Sequence, residues 1–396
     1  LVVGCGPAGA SLALLAAKEG FKVLVVERKR GIEEPTICGE FLPDFSLISR
    51  AFPEDFHLAT EFLRKAFYSD EVTVNEIEHV LIDLCGRRKI LDVKGKVISR
   101  KKAVSKLIEE ARSLGAEVLL STRYVGSKIS GDEITSLLKG RKKILERSSI
   151  VVGADGFPSR VSRVFRLNNT VEKEDLACAS VQLARGEHPE DLVYMGFHKR
   201  LSPGGYNWVI PRGDQTLNVG VGVRISYGAD LRGCHLQFLK ERKLRGFTQI
   251  YGKLLPVGGI FRNLANNFSM LIGDAAGLVM PVNGGGIPTA VVSSFIAAMS
   301  LKEWFDEPQK ASTSFRNSML SCFEGTFEVA LRARKIADFL MKHELFPLLW
   351  AIPSSVLRGV IALDRSSIGY KLLKQWSGQL LKSQPENTIS SLQEKR

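Results

Sequence analysis

The chain opens on an apolar run, Leu1-Val2-Val3, that breaks into a glycine cluster, Gly4-Cys5-Gly6-Pro7-Ala8-Gly9. Strong helix formers follow from Ala10 to Lys18, Gly20 punctuates them, and a second apolar run from Phe21 to Val26 ends at the lone acid Glu27. This pattern predicts strand, helix and strand in a βαβ unit. Because the first run starts abruptly at Leu1, a few residues of that strand are expected to precede it. A related pattern recurs between Ser269 and Leu301: a short apolar strand over Met270–Ile272, then Gly273-Asp274, a loop, and Gly284-Gly285-Gly286 opening a helix at Ile287. Pro288 suits the first turn of that helix, where a missing N–H costs nothing. Residues 66–94 and 170–254 read as β-rich. Leu217, Val219, Val221, Val223 and Ile225 alternate strictly, which predicts a half-buried strand, and Gly213-Asp214-Gln215 supplies the turn before it. Tyr206 and Trp208 share one face of the preceding strand by the same period of two. From residue 306 onward the spacing of Phe327, Leu331, Ile336, Phe339 and Leu340 is roughly helical, and the last stretch, Pro385 to Arg396, reads as frayed.

Composition narrows the classes. At 396 residues the chain is too long for one simple core and predicts two or three lobes. The net charge is +13, with basic triplets at Arg28-Lys29-Arg30, Arg87-Arg88-Lys89, Arg100-Lys101-Lys102 and Arg141-Lys142-Lys143. Such triplets are either solvated surface or a source of attraction to an anionic membrane face or acidic substrates. No zinc spacing, RNP-like run or recognition helix supports nucleic acid as the partner. The six cysteines are scattered without a C-x-x-C pair, as expected of a reducing cytosol. No secretory signal pattern is present. The most apolar long stretch, Leu345 to Leu363, is interrupted by two prolines, two serines and Arg358, so it reads as interfacial or tunnel-lining rather than spanning. No metal-ligand cluster stands out among the six histidines.

The glycine clusters carry the chemistry. Gly4-x-Gly6-x-x-Gly9 sits between a strand and a helix, the context in which it binds a dinucleotide. Gly4 permits the tight turn, Gly6 lets a pyrophosphate approach the backbone, and Gly9 lets helix and strand pack closely. The helix end offers free N–H groups and partial positive charge to phosphate. Glu27 stands where a carboxylate accepts hydrogen bonds from ribose hydroxyls.

With Gly273-Asp274 and the Gly284–Ile287 loop added, the sequence resembles flavoproteins of the p-hydroxybenzoate hydroxylase type. The resemblance implies that FAD is the cofactor, that Asp274 grips its ribityl chain, and that Gly284, Gly285, Gly286 and Ile287 face the flavin edge that becomes negative on reduction. "IVVGADGFPSRVSR", Ile150 to Arg163, is similar to the G-A-D-G segment of that superfamily and places Asp155 near the dinucleotide; Arg100 and Val125 match positions that contact it. Two further stretches resemble the geranylgeranyl reductases: "PTICGEFLP", which implies that Cys38, Gly39 and Phe41 lie along the flavin, and "SPGGYNWVIPRGDQTLNVGVGVR", in which Tyr206, Trp208 and Pro211 match a substrate-facing motif. Ala8 completes the set of cofactor positions. Some relatives carry a second cysteine early in the helix after the glycine loop; residues 290–298 here hold none, so a redox pair with Cys38 is not expected.

The expected architecture is therefore α/β (α+β): a discontinuous Rossmann-like FAD-binding domain over 1–65, 95–169 and 255–305, an inserted antiparallel β-sheet substrate domain over 66–94 and 170–254, and a C-terminal helical cap over 306–396. The implied reaction saturates isolated C=C bonds of geranylgeranyl chains, foremost those of archaeal-type ether phospholipids. An alkene without an electron-withdrawing group needs a proton as well as a hydride; Cys38 and Tyr206 are candidate donors by motif position only, and water or a cofactor proton serves equally well. The implied partners are a polyprenyl lipid, an electron donor among ferredoxin, a deazaflavin and NADPH, and an anionic membrane touched peripherally from the cytoplasmic side. The competing expectations are a flavin monooxygenase or halogenase of the same fold, and an electron-relay flavoprotein without alkene chemistry.

Overall fold

A computed structural model describes residues 1–167 and 169–380. The expected fraying of Pro385–Arg396 lies outside the described residues.

The apolar runs form the strands of a six-stranded sheet. Its order is Ala265–Asn266, Ser269–Leu271, Val151–Gly153, Val2–Val3, Leu24–Val26 and Glu117–Leu119, all parallel except the first pair. Parallel strands need both faces covered. Helix Pro7–Lys18 lies over the sheet, and helices Arg100–Ser113 and Ile287–Trp304 pack against it. The first helix is buried on nearly all sides from Ala8 to Ala17, which explains its run of Ala and Leu without charge.

A second, eight-stranded sheet takes strands from 79–91 and from 176–256. Its centre is the antiparallel set Leu176–Arg185, Leu217–Arg224, Asn207–Pro211 and Leu192–Phe197. Strand Leu192–Phe197 then pairs in parallel with His79–Leu84. The turn between Asn207–Pro211 and Leu217–Arg224 closes through Thr216 N–H donating to the Gly213 carbonyl, with Gly213, Asp214 and Gln215 all at positive φ. Strand Leu217–Arg224 is buried on both faces rather than one. Leu217, Val219, Val221 and Val223 pack on helix Leu231–Glu241 through Phe238 and Leu239.

Two three-stranded sheets complete the β structure: the meander Arg123–Ser130, Glu133–Lys139 and Lys143–Ser148, and the set Phe41–Pro43, Gly95–Ile98 and Thr73–Ile77. The C-terminal part is one long helix, Pro308–Lys342, followed by a 3₁₀ turn Phe346–Ala351 and helices Ser354–Ala362 and Ile368–Leu380. Among the described residues no helix is long and apolar enough to cross a membrane.

Candidate active site

Both glycine clusters open onto one cavity of about 1260 Å³. At one end lie Gly4, Gly6, Ala8, Glu27 and Asp155; next come Cys38, Gly39, Phe41, Arg100, Asp274 and Gly284–Ile287; at the far end lie Tyr206, Trp208 and the C-terminal helices. This volume exceeds the roughly 300–1,000 Å³ of most ligand pockets.

The first turn is built as its glycines require. Gly4 has φ +102° and a Cβ there would stand 2.3 Å from the Ala154 carbonyl oxygen; a Cβ on Gly9 would stand 1.9 Å from the Gly4 oxygen. Gly6 differs: its nearest neighbour would be Glu33 Oε1 at 3.6 Å, so the space above it is kept for something other than protein. Helix Pro7–Lys18 and helix Ile287–Trp304 both start at a glycine N-cap without a side-chain cap and without an acid in the first turn. Their N–H groups are thus left for a ligand. The two ends are locked together, with Ser294 Oγ donating to the Ala8 carbonyl at 2.8 Å.

Glu27 is buried, its carboxylate accepting from Cys5 N–H at 2.9 Å and Lys29 N–H at 2.8 Å. These bonds fix both oxygens at the cavity edge while each keeps a lone pair free. Burial and the neighbouring Glu27 push the Cys5 thiol up to about 12, so it is inert filling in the turn. Asp155 accepts from Arg160 N–H at 2.7 Å and Val161 N–H at 3.2 Å through one oxygen. Its other oxygen is buried with no hydrogen-bond partner among the described residues, and burial raises its carboxyl above the ordinary range. Such an orphaned acceptor, two uncapped helix ends and a turn kept open at Gly6 fit a dinucleotide of the FAD type.

Three expected positions do not line the cavity; one is Gly9, which packs on the Gly4 carbonyl instead. Val125 does not line the cavity: its carbonyl accepts from Arg160 Nε at 2.6 Å, and the lining residues on that segment are Thr122, Arg123 and Tyr124. Pro211 also stands off the cavity, because the period of two that carries Tyr206 and Trp208 inward brings Ile210, not Pro211, to the same wall. Arg100 is at the cavity, but its guanidinium is engaged in a buried ion pair with Glu33.

Several site residues were invisible in the sequence. Glu33 and Glu40 are both buried, both at positive φ, and both bound to arginine: Glu33 to Arg100, Glu40 to Arg212 and to the Arg100 N–H. Left-handed backbone at non-glycine residues is costly and persists where surroundings dictate it. Here the two acids fix the shape of segment 33–40, which carries Cys38 and Gly39. Burial raises the Glu40 carboxyl, opposed by Arg212. Lys253 is the other addition: from strand Tyr251–Pro256 its Nζ reaches Asp274 Oδ2 at 2.5 Å.

The far end is apolar. The rings of Tyr206 and Trp208 lie 5.7 Å apart, Phe197 and Tyr206 5.6 Å, and Phe197 and Phe346 5.4 Å. Trp208 Nε1 donates to Asn218 at 3.0 Å, and Asn218 Nδ2 donates to the Cys38 carbonyl at 2.7 Å, so the aromatic wall and the Cys38-Gly39 turn are set by one chain of bonds. The Tyr206 hydroxyl donates to the Asn283 carbonyl beside the glycine loop. Ile336, Leu340, Leu349, Val356, Leu357 and Val360 continue the wall into the C-terminal helices. The stretch Leu345–Leu363 is thus tunnel-lining in part, as expected. Phe339, on the same long helix as Ile336, is 57% exposed.

With this geometry in place, comparison with known proteins decides the family. Residues 176–251, the core of the larger sheet, match the family model described as the geranylgeranyl reductase catalytic domain. Digeranylgeranylglycerophospholipid reductase 2 of Methanococcoides burtonii is 30% identical over 304 residues, covering 75% of this chain and 73% of the relative. The chain belongs to the digeranylgeranylglycerophospholipid reductase family. Among solved structures, a geranylgeranyl bacteriochlorophyll reductase-like protein from Thermoplasma acidophilum superposes with a TM-score of 0.80 at 24% identity, over 96% of this chain and 98% of that one. A flavin-dependent brominase superposes at 0.69 and 16% identity, over 97% and 98%. The reductase family thus shares its fold with flavin-dependent halogenases, while the sequence similarity lies on the reductase side.

Proposed function

We propose that the protein is an FAD-dependent reductase that saturates isolated C=C bonds in geranylgeranyl chains of archaeal-type ether phospholipids, working at the cytoplasmic face of the membrane. The observation that carries this reading is one uninterrupted cavity, running from two uncapped helix ends to an aromatic and aliphatic tunnel.

Residues Gly4, Gly6, Ala8, Glu27 and Asp155 would hold the adenosine and pyrophosphate half of FAD, and Asp274 with Gly284–Ile287 the ribityl and flavin half. When bound, the flavin supplies the hydride. The remaining work belongs to the chain. An isoprenoid offers nothing but shape and apolar surface, so Phe197, Tyr206, Trp208, Phe346 and the C-terminal helices bind it by burial. The same walls keep water from the reacting carbons. Lys253 holds Asp274 in place and brings positive charge beside the glycine loop. Tyr206 orients that loop through Asn283. Burial raises the Tyr206 phenol well above its ordinary range, which suits a hydroxyl that stays protonated and positions the wall. Cys38, at the turn held by Asn218, is then one source of the proton to examine, beside water and a cofactor proton.

Electrons would come from an external donor: a ferredoxin, a deazaflavin or NADPH. Anaerobic incubation of dithionite-reduced, FAD-loaded protein with a geranylgeranyl ether lipid tests the reading by mass spectrometry. Gains of two mass units per double bond are expected; an unchanged lipid with FAD bound and reduced would refute it.

A further inference from the structure

The segment that closes the tunnel has two faces. Phe346, Leu349 and Ile352 turn inward and line it, whereas Leu345, Leu348 and Trp350 stand 41, 58 and 47% exposed. The outward face is continuous with an edge strand of the larger sheet, Arg87–Leu91. Trp350 Nε1 donates to the Arg88 carbonyl at 3.1 Å, and Lys89 Nζ lies 5.5 Å from the centre of the Trp350 ring while donating to the Ile352 carbonyl at 2.6 Å. A turn with exposed Leu345, Leu348 and Trp350 beside a sheet edge makes an apolar surface with no partner among the described residues.

Its charge is one-sided. Arg87 and Lys89 on the strand, with Lys342 and Arg358 on the flanking helices, outnumber the acids Asp92 and Glu344. Glu344 is paired with Lys199 at 3.0 Å. Arg88 is partly spent on the buried Asp83. A two-fold contact between copies through this face would set the same cations against each other. An anionic lipid surface complements them.

The geometry points to this face as the surface by which the protein docks on an anionic bilayer, with Leu345 and Leu348 in the acyl region, Trp350 at the headgroup level, and the basic side chains on the anionic headgroups. Docking there sets the tunnel rim against the lipid. The purpose of the face rests on the prenyl-lipid reading; its existence does not.

The experiment uses the full chain loaded with FAD and sedimentation with vesicles of phosphatidylglycerol or of phosphatidylcholine. Wild type is expected to sediment with phosphatidylglycerol, weakly with phosphatidylcholine, and less at high salt. The double variant Leu348→Asp, Trp350→Asp is expected to bind phosphatidylglycerol vesicles about tenfold or more weakly, with unchanged flavin absorbance. Arg87→Glu with Arg358→Glu should remove the preference for the anionic lipid, an independent readout should the first variant misfold. Reduction of a detergent-dispersed substrate should be unaffected by Leu348→Asp, Trp350→Asp, and reduction of a vesicle-borne one should fall. Wild type that ignores anionic vesicles, or a double variant that binds them as wild type does, overturns the proposal. So does a variant whose only change is in oligomeric state, which would make the face a contact between copies. Loss of reduction with docking intact would strike the reductase reading alone.

Discussion

Gly6→Ala separates a role in folding from a role in holding the cofactor. Gly6 has φ −84° and ψ −169°, which any residue adopts. Its added methyl would meet protein only at Glu33 Oε1, 3.6 Å away, an ordinary contact. The ligand-free protein should therefore keep its fold, because the gain of up to about 1 kcal/mol from the stiffer unfolded chain is offset by a poorer N-cap residue. Gly4→Ala and Gly9→Ala should instead damage the fold itself, since their Cβ atoms would come within 2.3 Å of the Ala154 oxygen and 1.9 Å of the Gly4 oxygen. If a pyrophosphate lies on the turn, the Gly6 methyl takes its space. Overpacking of that kind costs about 1–3 kcal/mol, which converts to a roughly 5- to 150-fold weaker dissociation constant. The assay is titration of FAD into apoprotein, followed by quenching of flavin fluorescence, with a thermal melt of the same apoprotein alongside. A Gly6→Ala protein that melts like wild type and binds FAD equally well would mean that the diphosphate does not lie there, and the assignment of the first glycine cluster would fail.

Three other outcomes follow from the same geometry. Trp208→Phe keeps an aromatic wall but leaves the buried Asn218 oxygen without its indole partner, at a cost of about 1–3 kcal/mol; melting should drop and prenyl turnover slow while FAD affinity holds, and loss of FAD would show that Trp208 supports the cofactor instead. Arg334→Met removes a 5%-exposed guanidinium side chain that donates to the Val257 carbonyl and Asp175 and lies 3.6 Å from Asp338, so the long C-terminal helix should loosen by about 3–5 kcal/mol in chemical denaturation. His235, fully buried and bonded to Ser180 at 2.8 Å, has its pKa lowered by burial to about 4. Between that value and the ordinary 6.5 the unfolded chain binds the extra proton. Stability is therefore complete above about pH 6.5 and falls, by at most about 3 kcal/mol, as pH drops to 4. His235→Asn should flatten that part of the pH profile in denaturation measurements, and an unchanged profile would contradict it.

What could be read from the sequence was local. The glycine turns, the acid after the second strand and the alternation of residues 217–223 are each set within one or two elements, so their spacing announces them. The site residues that escaped notice are joined across distance: Glu33 meets Arg100 from 67 positions away, and Glu40 meets Arg212 from 172. Nothing in an isolated "GIEEP" or "CGE" marks those carboxylates as buried rather than solvated. Lys253 was hidden for the same reason, because its meaning comes from Asp274 on another domain element. Where the period itself was informative it had to be followed strictly: it assigns the cavity wall to Tyr206, Trp208 and Ile210 and leaves Pro211 outside. The meander over 123–148 was not anticipated, since its last strand is almost wholly solvent-facing and carries little apolar periodicity.

The strand Leu217–Arg224 shows how a sheet becomes the wall of a tunnel. Its odd positions, Leu217, Val219, Val221 and Val223, are bulky and spend themselves on helix Leu231–Glu241, which fixes the register. Its even positions, Asn218, Gly220, Gly222 and Arg224, face the cavity side and are small or polar. Gly220 has no room for a side chain, because a Cβ would stand 2.0 Å from the Trp208 ring. The missing side chain lets the indole lie flat on the sheet, where its N–H finds Asn218 and, through it, the Cys38 carbonyl. A single alternating strand thus does two things at once. One face supplies the burial that holds the sheet; the other is hollowed by glycine so that an aromatic surface, rather than backbone, lines the cavity. A valine at 220 would keep the alternation and the outer core yet push Trp208 off the sheet, which closes the tunnel and breaks the link to Cys38 in one step.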